Sequence, residues 1–534
     1  MNTSTVQLAF AAPLAVLASN VLALDVTSFP LDLRAVDEGV LEFEQSPTAL
    51  AALAGFEHIV MQAVPSPDGA PVDLELKRIR FDFSSVGVFV DGKESCFQPG
   101  DMTLWSGKLR GVESSDVQLC FASRGTYGWI FDGVDYTHIT STPGKDGTWN
   151  LARVRMIDDR IMRRGGNRGL PSTCMVDQIG PTPGHGGSIQ SDARGPRSLG
   201  AATKLELMLA IETDWQLFQR WNDLHAEQTY VMALLAAKSA RFSAQVDIAV
   251  TYPYVQFYTT SNDPWTTQDG GGGAVDLLYE FQAAWKFAIP ADAHLAHFLS
   301  GASLGGGVAW LDVLCNPEWG FSVSGNINGG VTFPVTPGSN TWDFYVFAHE
   351  TGHNVGTLHT HDYCPPLDEC APPGSFGECQ NQQVCISHGT IMSYCHLCQG
   401  GTSNITTFFH PTVVNYMRNE AENSCLRTCD LKVALSDYPA SVEGGDTLSF
   451  QASATNRCDV PLAFDQAVMN ITGPASMETS LYHGAPFNVE EDLSRDLRVT
   501  VPTATPLGNY MVAVSIFRNG EEIDVDTFEV VVAD

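Results

Sequence analysis

The sequence predicts an α+β domain, a mixed sheet with helices, preceded by a β-rich domain and followed by a β-sandwich. Three observations carry this. Alternating, β-branched runs fill the first part of the chain; strands then alternate with amphipathic helices; after Cys429 only short strands separated by turns remain. A length of 534 residues exceeds what one core supports. The 29 Lys and Arg against 61 Asp and Glu give a formal charge of -32, which repels nucleic acid and anionic lipid and argues against both as partners.

Residues 1–23 have the pattern of a secretory signal: Val6 to Ala18 is apolar but short of a membrane span, and Val21-Leu22-Ala23 offers small residues for cleavage. No other stretch is apolar over the length a spanning helix needs, so a secreted, extracellular protein without a transmembrane segment is expected. Residues 24–162 are β-rich, with strands expected at Ile79–Phe83, Val86–Val90 and Tyr127–Phe131 and a pairing open to Cys96 and Cys120. Residues 163–200 are rich in Gly, Pro, Ser and Arg and lack Phe, Trp and Tyr, the composition of an exposed linker, and they carry Cys174. Thirteen cysteines is an odd number, so at least one has no partner within the chain, and a thiolate is a good metal ligand.

Residues 201–429 form the mixed domain. A strand over 205–211 leads into an expected helix with Trp215, Phe218, Trp221 and Leu224 on one side, then a second helix near Tyr230–Ala240, a strand at Val246–Tyr252 and a helix at Val275–Phe287. An edge strand is expected near Gly307–Val313, where an extended peptide could add to the sheet; the glycine runs at 270–273 and 305–307 read as loops. Seven cysteines between Cys364 and Cys425, with Cys315 upstream, predict disulfides rather than a second metal site. Residues 430–534 carry short strands and an Asn519-Gly520 hairpin turn, the pattern of an immunoglobulin-like sandwich.

The chemistry lies in His349-Glu350-Thr351-Gly352-His353-Asn354-Val355-Gly356-Thr357-Leu358-His359. On a helix, His349 and His353 project from one face and can grip one ion. Gly356 can take the left-handed conformation that ends the helix and returns His359 to the metal. Three imidazoles leave a fourth position open for water, the mark of a catalytic zinc site, and the neighbouring Glu350 carboxylate can take that water's proton.

Downstream, His388-Gly389-Thr390-Ile391-Met392-Ser393-Tyr394-Cys395 completes a signature that resembles the metzincin zinc proteases, whose elongated histidine motif precedes a Met-containing turn. Within them the chain is most similar to the reprolysins, the adamalysin or ADAM-type proteases, over about residues 200 to 429: Lys204–Ala210 looks like their first strand, and Val308-Ala309-Trp310-Leu311 followed by Cys315-Asn316-Pro317 like their edge strand and the cysteine after it. The resemblance implies one catalytic Zn2+ on His349, His353 and His359, Met392 packed beneath them, and Tyr394 as an extra ligand or a donor to the oxyanion. It also implies a zymogen, with residues 24–162 as pro-domain and Cys174 as the switch that fills the water position until a second, activating protease cuts near Arg194 or Arg197. Two departures stand out. Reprolysins carry Asp directly after the third histidine, where this chain has Thr360-His361-Asp362, and their Ca2+ site pairs a Glu, matched by Glu206, with an Asp where this chain has His294.

The expected function is a secreted zinc metalloendopeptidase acting on protein or peptide substrates. The alternatives are a secreted binding or adhesion protein that keeps the protease domain as a scaffold, and a zinc hydrolase acting on something other than peptides.

Overall fold

A computed structural model describes residues 25–160, 173–175, 179, 204–329, 342–456, 462–489, 492–518 and 520–533. The expected signal and most of the expected linker lie outside the described residues. Leu24–Thr428 form one compact unit and the segment from Cys429 to Asp534 belongs to a second.

In the first unit, a ten-stranded sheet runs from Asp25–Ser28 at one edge to Leu31–Asp37 at the other. Its central strands are apolar on both faces, and the period-two alternation of strands sends successive side chains to different cores. Trp105, Leu119, Phe121 and Ile130 join one core, closed by Leu50 and Leu53 of the helix Pro47–Leu53. Their neighbours Leu104, Cys120, Trp129 and Phe131 join the larger core shared with the residues that follow Lys204. Tyr127–Phe131 is a strand as expected, whereas Ile79–Phe83 is not; its place in the sequence is taken by irregular backbone and a single 3-10 turn, Phe83–Ser85, capped by Asp82. Cys96 and Cys120 do not pair: the first is exposed, the second buried, and both are free thiols.

The second sheet of this unit organises the mixed part. Its order is Thr173–Cys174, Gly306–Ala309, Phe321–Ser324, Leu295–Leu299, Leu205–Thr213, Ile248–Phe257, Val88–Val90, Lys93–Ser95, with Arg427–Thr428 paired to the start of Leu205–Thr213. The four strands from Phe321–Ser324 to Ile248–Phe257 are parallel, and Gly306–Ala309 runs antiparallel beside them. Val88–Val90 leaves its own sheet and adds in parallel to Val255–Phe257.

The expected long helix after the first strand is one turn, Trp215–Phe218, capped by Asp214. Asn222 turns left-handed at φ 49° and Asp223 caps a new helix, Leu224–Val246, so Leu224 opens the second helix rather than ending the first. Gly306 and Gly307, read from the sequence as loop, lie in the edge strand, which ends at Ala309. Four disulfides, Cys315–Cys425, Cys364–Cys379, Cys370–Cys395 and Cys385–Cys398, pair all seven downstream cysteines with Cys315 as the eighth. Among the described residues no helix is long and apolar enough to cross a membrane.

The second unit has two sheets around one core. Leu431–Ser436, Thr447–Asn456 and Asp492–Thr500 form one; Ser441–Glu443, Leu462–Thr472, Met477–Val489, Gly508–Arg518 and Glu521–Ala533 form the other. Inward side chains from both, such as Val433, Phe450, Val512 and Phe528, make up that core.

Candidate metal centre

Every residue of the helix Trp342–Asn354 is buried. Its C-terminal end is fixed by Asn354, whose side-chain amide donates to the carbonyls of Trp310 and Phe321 at 2.8 and 3.0 Å. Gly356 then turns the chain at φ 107°, a conformation that strongly favours glycine. Gly352 serves a different need: a Cβ there would stand 2.8 Å from the sulfur of Met392, so its absence lets that methionine lie against the helix between His349 and His353.

The three histidines are oriented by what their Nδ1 atoms touch. His349 Nδ1 lies 2.6 Å from the carbonyl of Ile391 and His353 Nδ1 lies 2.9 Å from that of Thr357. A carbonyl only accepts, so in both rings the proton sits on Nδ1 and Nε2 presents a bare lone pair. His359 Nδ1 lies 3.3 Å from the Asp362 carboxylate. His353 Nε2 is 3.1 Å from both His349 Nε2 and His359 Nε2. Bare lone pairs at that distance repel unless a cation lies among them. Burial, then the neighbouring His353 and His359, holds the His349 pKa well below the usual imidazole range, and burial followed by His396 pushes His359 down to about 3. Both of these rings are thus neutral, as metal ligands must be.

A fourth donor arrives from elsewhere in the chain. Thr173–Cys174 pairs in parallel with Gly306–Gly307, and Met175 N–H donates to Gly307 O at 2.9 Å. This strand pairing carries Cys174 Sγ to 3.4 Å from His353 Nε2 and 3.5 Å from Glu350 Oε2. The ligand atoms of Cys174, His349, His353 and His359 all lie within 4.8 Å of one another, and all four residues are buried. Nitrogens bound to one tetrahedral ion at roughly 2.0–2.1 Å stand about 3.3 Å apart, so the donors fit such an ion. Asp368, Cys370 and Cys395 also lie together, but the two cysteines form a disulfide with each other.

Glu350 is buried beside the donors, and the edge strand lies directly on it: a Cβ on Gly307 would collide with Glu350 Oε1 and Val346. Tyr394 is buried as well. Its hydroxyl donates to the Cys174 carbonyl at 2.9 Å and its ring packs on His359 with centroids 4.4 Å apart. Of the residues singled out in the sequence, the fold brings Cys174, His349, Glu350, His353, His359, Met392 and Tyr394 together.

Sequence reasoning missed the roles of Asp362 and Gly307. Asp362 faces His359 Nδ1, while His361 stacks parallel on the His359 ring at 5.0 Å and 9°. The shift of the acid by two places was visible, but its aim was not. His297 is buried among Ser322, Ser324 and Thr351, His396 meets the Tyr345 hydroxyl, and His388 is exposed. His294 accepts the Met208 N–H on Nδ1, and Glu206 accepts from Thr251.

Residues 203–409 match the sequence profile Reprolysin_5, described as Metallo-peptidase family M12. Among curated proteins none matches this sequence. Among solved structures, OgpA from Akkermansia muciniphila aligns at 13% identity over 63% of this chain and 96% of its own, with a TM-score of 0.23. Spo0M, a sporulation control protein from Bacillus subtilis, aligns at 10% identity over 20% of this chain and 49% of its own, TM-score 0.16, so the chain spans about half its length. The CARDB domain of a Pyrococcus furiosus protein aligns at 17% identity over 20% of this chain and 94% of its own, TM-score 0.16. Scores this low carry nothing over to this chain. The profile match contains the three histidine donors: residues 203–409 are a reprolysin-like metzincin domain of metallopeptidase family M12.

Proposed function

We propose that the chain is a secreted zinc-dependent endopeptidase made as a zymogen. The observation that carries this reading is the convergence of three imidazole Nε2 atoms and the Cys174 thiol beside the buried carboxylate of Glu350. Imidazole nitrogens with one thiolate in four-fold array suit zinc better than the harder cations. Zinc held there supplies Lewis acidity and brings a bound water's pKa near neutrality.

The chain's own residues supply the rest. His349, His353 and His359 hold the ion, oriented by Ile391, Thr357 and Asp362. Cys174 fills the fourth position and so keeps water from it. When the thiol leaves, Glu350 is the base nearest the vacated place, fit to take a proton from the attacking water and hand it to the leaving amine. Tyr394 then loses the Cys174 carbonyl as its acceptor and can donate to the oxygen of a substrate carbonyl as charge builds on it. Export is supported by the apolar leader in the sequence and by the four disulfides, which form and persist in oxidising compartments.

The test is casein hydrolysis by linker-cleaved protein, with zinc content determined in parallel. Wild type should be active and Glu350→Gln should keep its zinc and lose at least about a thousandfold in rate, since the general base is gone. Full activity in Glu350→Gln would refute the assignment. Cys174→Ala should be active without any cleavage, and a latent Cys174→Ala protein would remove the switch.

A further inference from the structure

The N-terminal region and the strand that blocks the metal centre occupy opposite edges of one sheet. Thr173–Cys174 lies beside Gly306–Ala309, whereas Val88–Val90 is the sixth strand on from Thr173–Cys174, roughly 29 Å away at the usual strand spacing. The segment seen at the metal donors is a strap of three described residues, Thr173 to Met175.

The attachment of the N-terminal region is of another kind. One face of its ten-stranded sheet is built into the core of the metallopeptidase segment: Trp129 packs on Phe344 and Tyr127 on Tyr230, with centroids 4.8 and 4.9 Å apart. At the centre of this face sits a buried carboxylate, Asp116. Its Oδ2 accepts from Trp129 Nε1 at 2.9 Å on its own side and, across the interface, from Arg241 at 2.7 Å and the Thr407 hydroxyl at 2.9 Å. Next to it Thr407 N–H donates to the Tyr136 hydroxyl at 2.9 Å, and Trp149 Nε1 donates to Trp221 O at 3.1 Å. Separation would strand Arg241 and Asp116 as unpaired charges and expose two aromatic surfaces, the signature of an obligate rather than a transient contact.

We propose that the N-terminal region is a permanent partner of the metallopeptidase segment, and that the strap around Cys174 alone is the inhibitor. This rests on the zymogen reading for the role of the strap, but not for the partnership. The sequence places arginines on both sides of Cys174, at Arg163, Arg164 and Arg168 before it and Arg194 and Arg197 after it, so a trypsin-like activator can excise the strap and leave both bodies whole. Active enzyme is then two chains held without a covalent link.

The experiment uses the full chain with an affinity tag before Asp25 and specific cleavage sites inserted after Arg164 and Arg197. In the Glu350→Gln form, both cuts should leave the metallopeptidase fragment on the tag resin through hours of washing at neutral pH. In the form with Glu350 intact, the resin-bound fraction should hydrolyse casein. Elution of the metallopeptidase fragment without denaturant, or casein hydrolysis only in material free of the N-terminal fragment, would overturn the proposal. Retention with no hydrolysis in any fraction leaves the partnership standing and sinks the peptidase reading instead. Asp116→Ala should raise the dissociation rate of the cut complex at least about tenfold by leaving Arg241 unpaired. Should that variant not fold, Tyr136→Phe, which removes the acceptor of Thr407 N–H, should raise it severalfold; unchanged retention would show that the contact is not held as described.

Discussion

Asp214 ends the central strand and is wholly buried, with Leu217 N–H and Gly301 N–H donating to Oδ1 and the Ser300 hydroxyl to Oδ2. Burial outweighs these donors and pushes its pKa up to about 6 from 3.8. A raised carboxyl pKa means that between about pH 4 and pH 6 the folded chain binds more protons than the unfolded one, so stability falls as pH rises through that window and is level above it. Asp214→Asn escapes the penalty. Thermal denaturation of both proteins from pH 4 to pH 7 should therefore move the difference in the variant's favour by roughly 3 kcal/mol, at about 1.4 kcal/mol per unit; a pH-independent difference would show that Asp214 is ionised at pH 4. Residues at the metal centre were legible for a local reason: His349, His353 and His359 are spaced by helix and turn geometry that eleven residues contain in full. Asp362 escaped because its aim depends on the 3-10 turn Thr360–Asp362, which the spacing does not encode.

At the scale of elements, the edge strand Gly306–Ala309 shows what sequence propensity hides. Glycines disfavour strands, which is why 305–307 read as a loop; here the missing side chain is the reason the strand can lie on Glu350. Gly307→Ala should keep zinc and lower kcat/KM at least about a hundredfold, the usual effect of shifting a reacting group by about an ångström. Zinc analysis beside peptide kinetics decides it, and wild-type kinetics in Gly307→Ala would mean that the strand yields freely. The short helix Trp215–Phe218 was overextended because its aromatics keep helical spacing past the break that Asn222 makes. The pairing of Val88–Val90 with Val255–Phe257 spans too much sequence for any local pattern to announce, although the apolar character of both faces of its neighbours was on view.

For the whole molecule, the two units have separate cores, the second made only of residues from Leu431 onward. A chain ended at Thr428 should therefore fold, retain zinc and hydrolyse casein after strap removal. Calorimetry should show that it lacks one transition present in the full chain. A truncated protein that fails to fold would mean that the first unit depends on the second. In space the β-rich region and the metallopeptidase segment share a sheet and a core, and so fall in one unit.

The direction of the strap has a kinetic consequence. It offers the centre a side-chain sulfur, while the carbonyl of the same residue is turned to Tyr394 and hydrogen-bonded there. The bond that would have to break for self-release is thus not the one presented for attack. On the zymogen reading, conversion of a latent pool should accordingly be second order, proportional to an outside activator, with no first-order term from the uncut chain alone, and activity would be stored without a clock of its own.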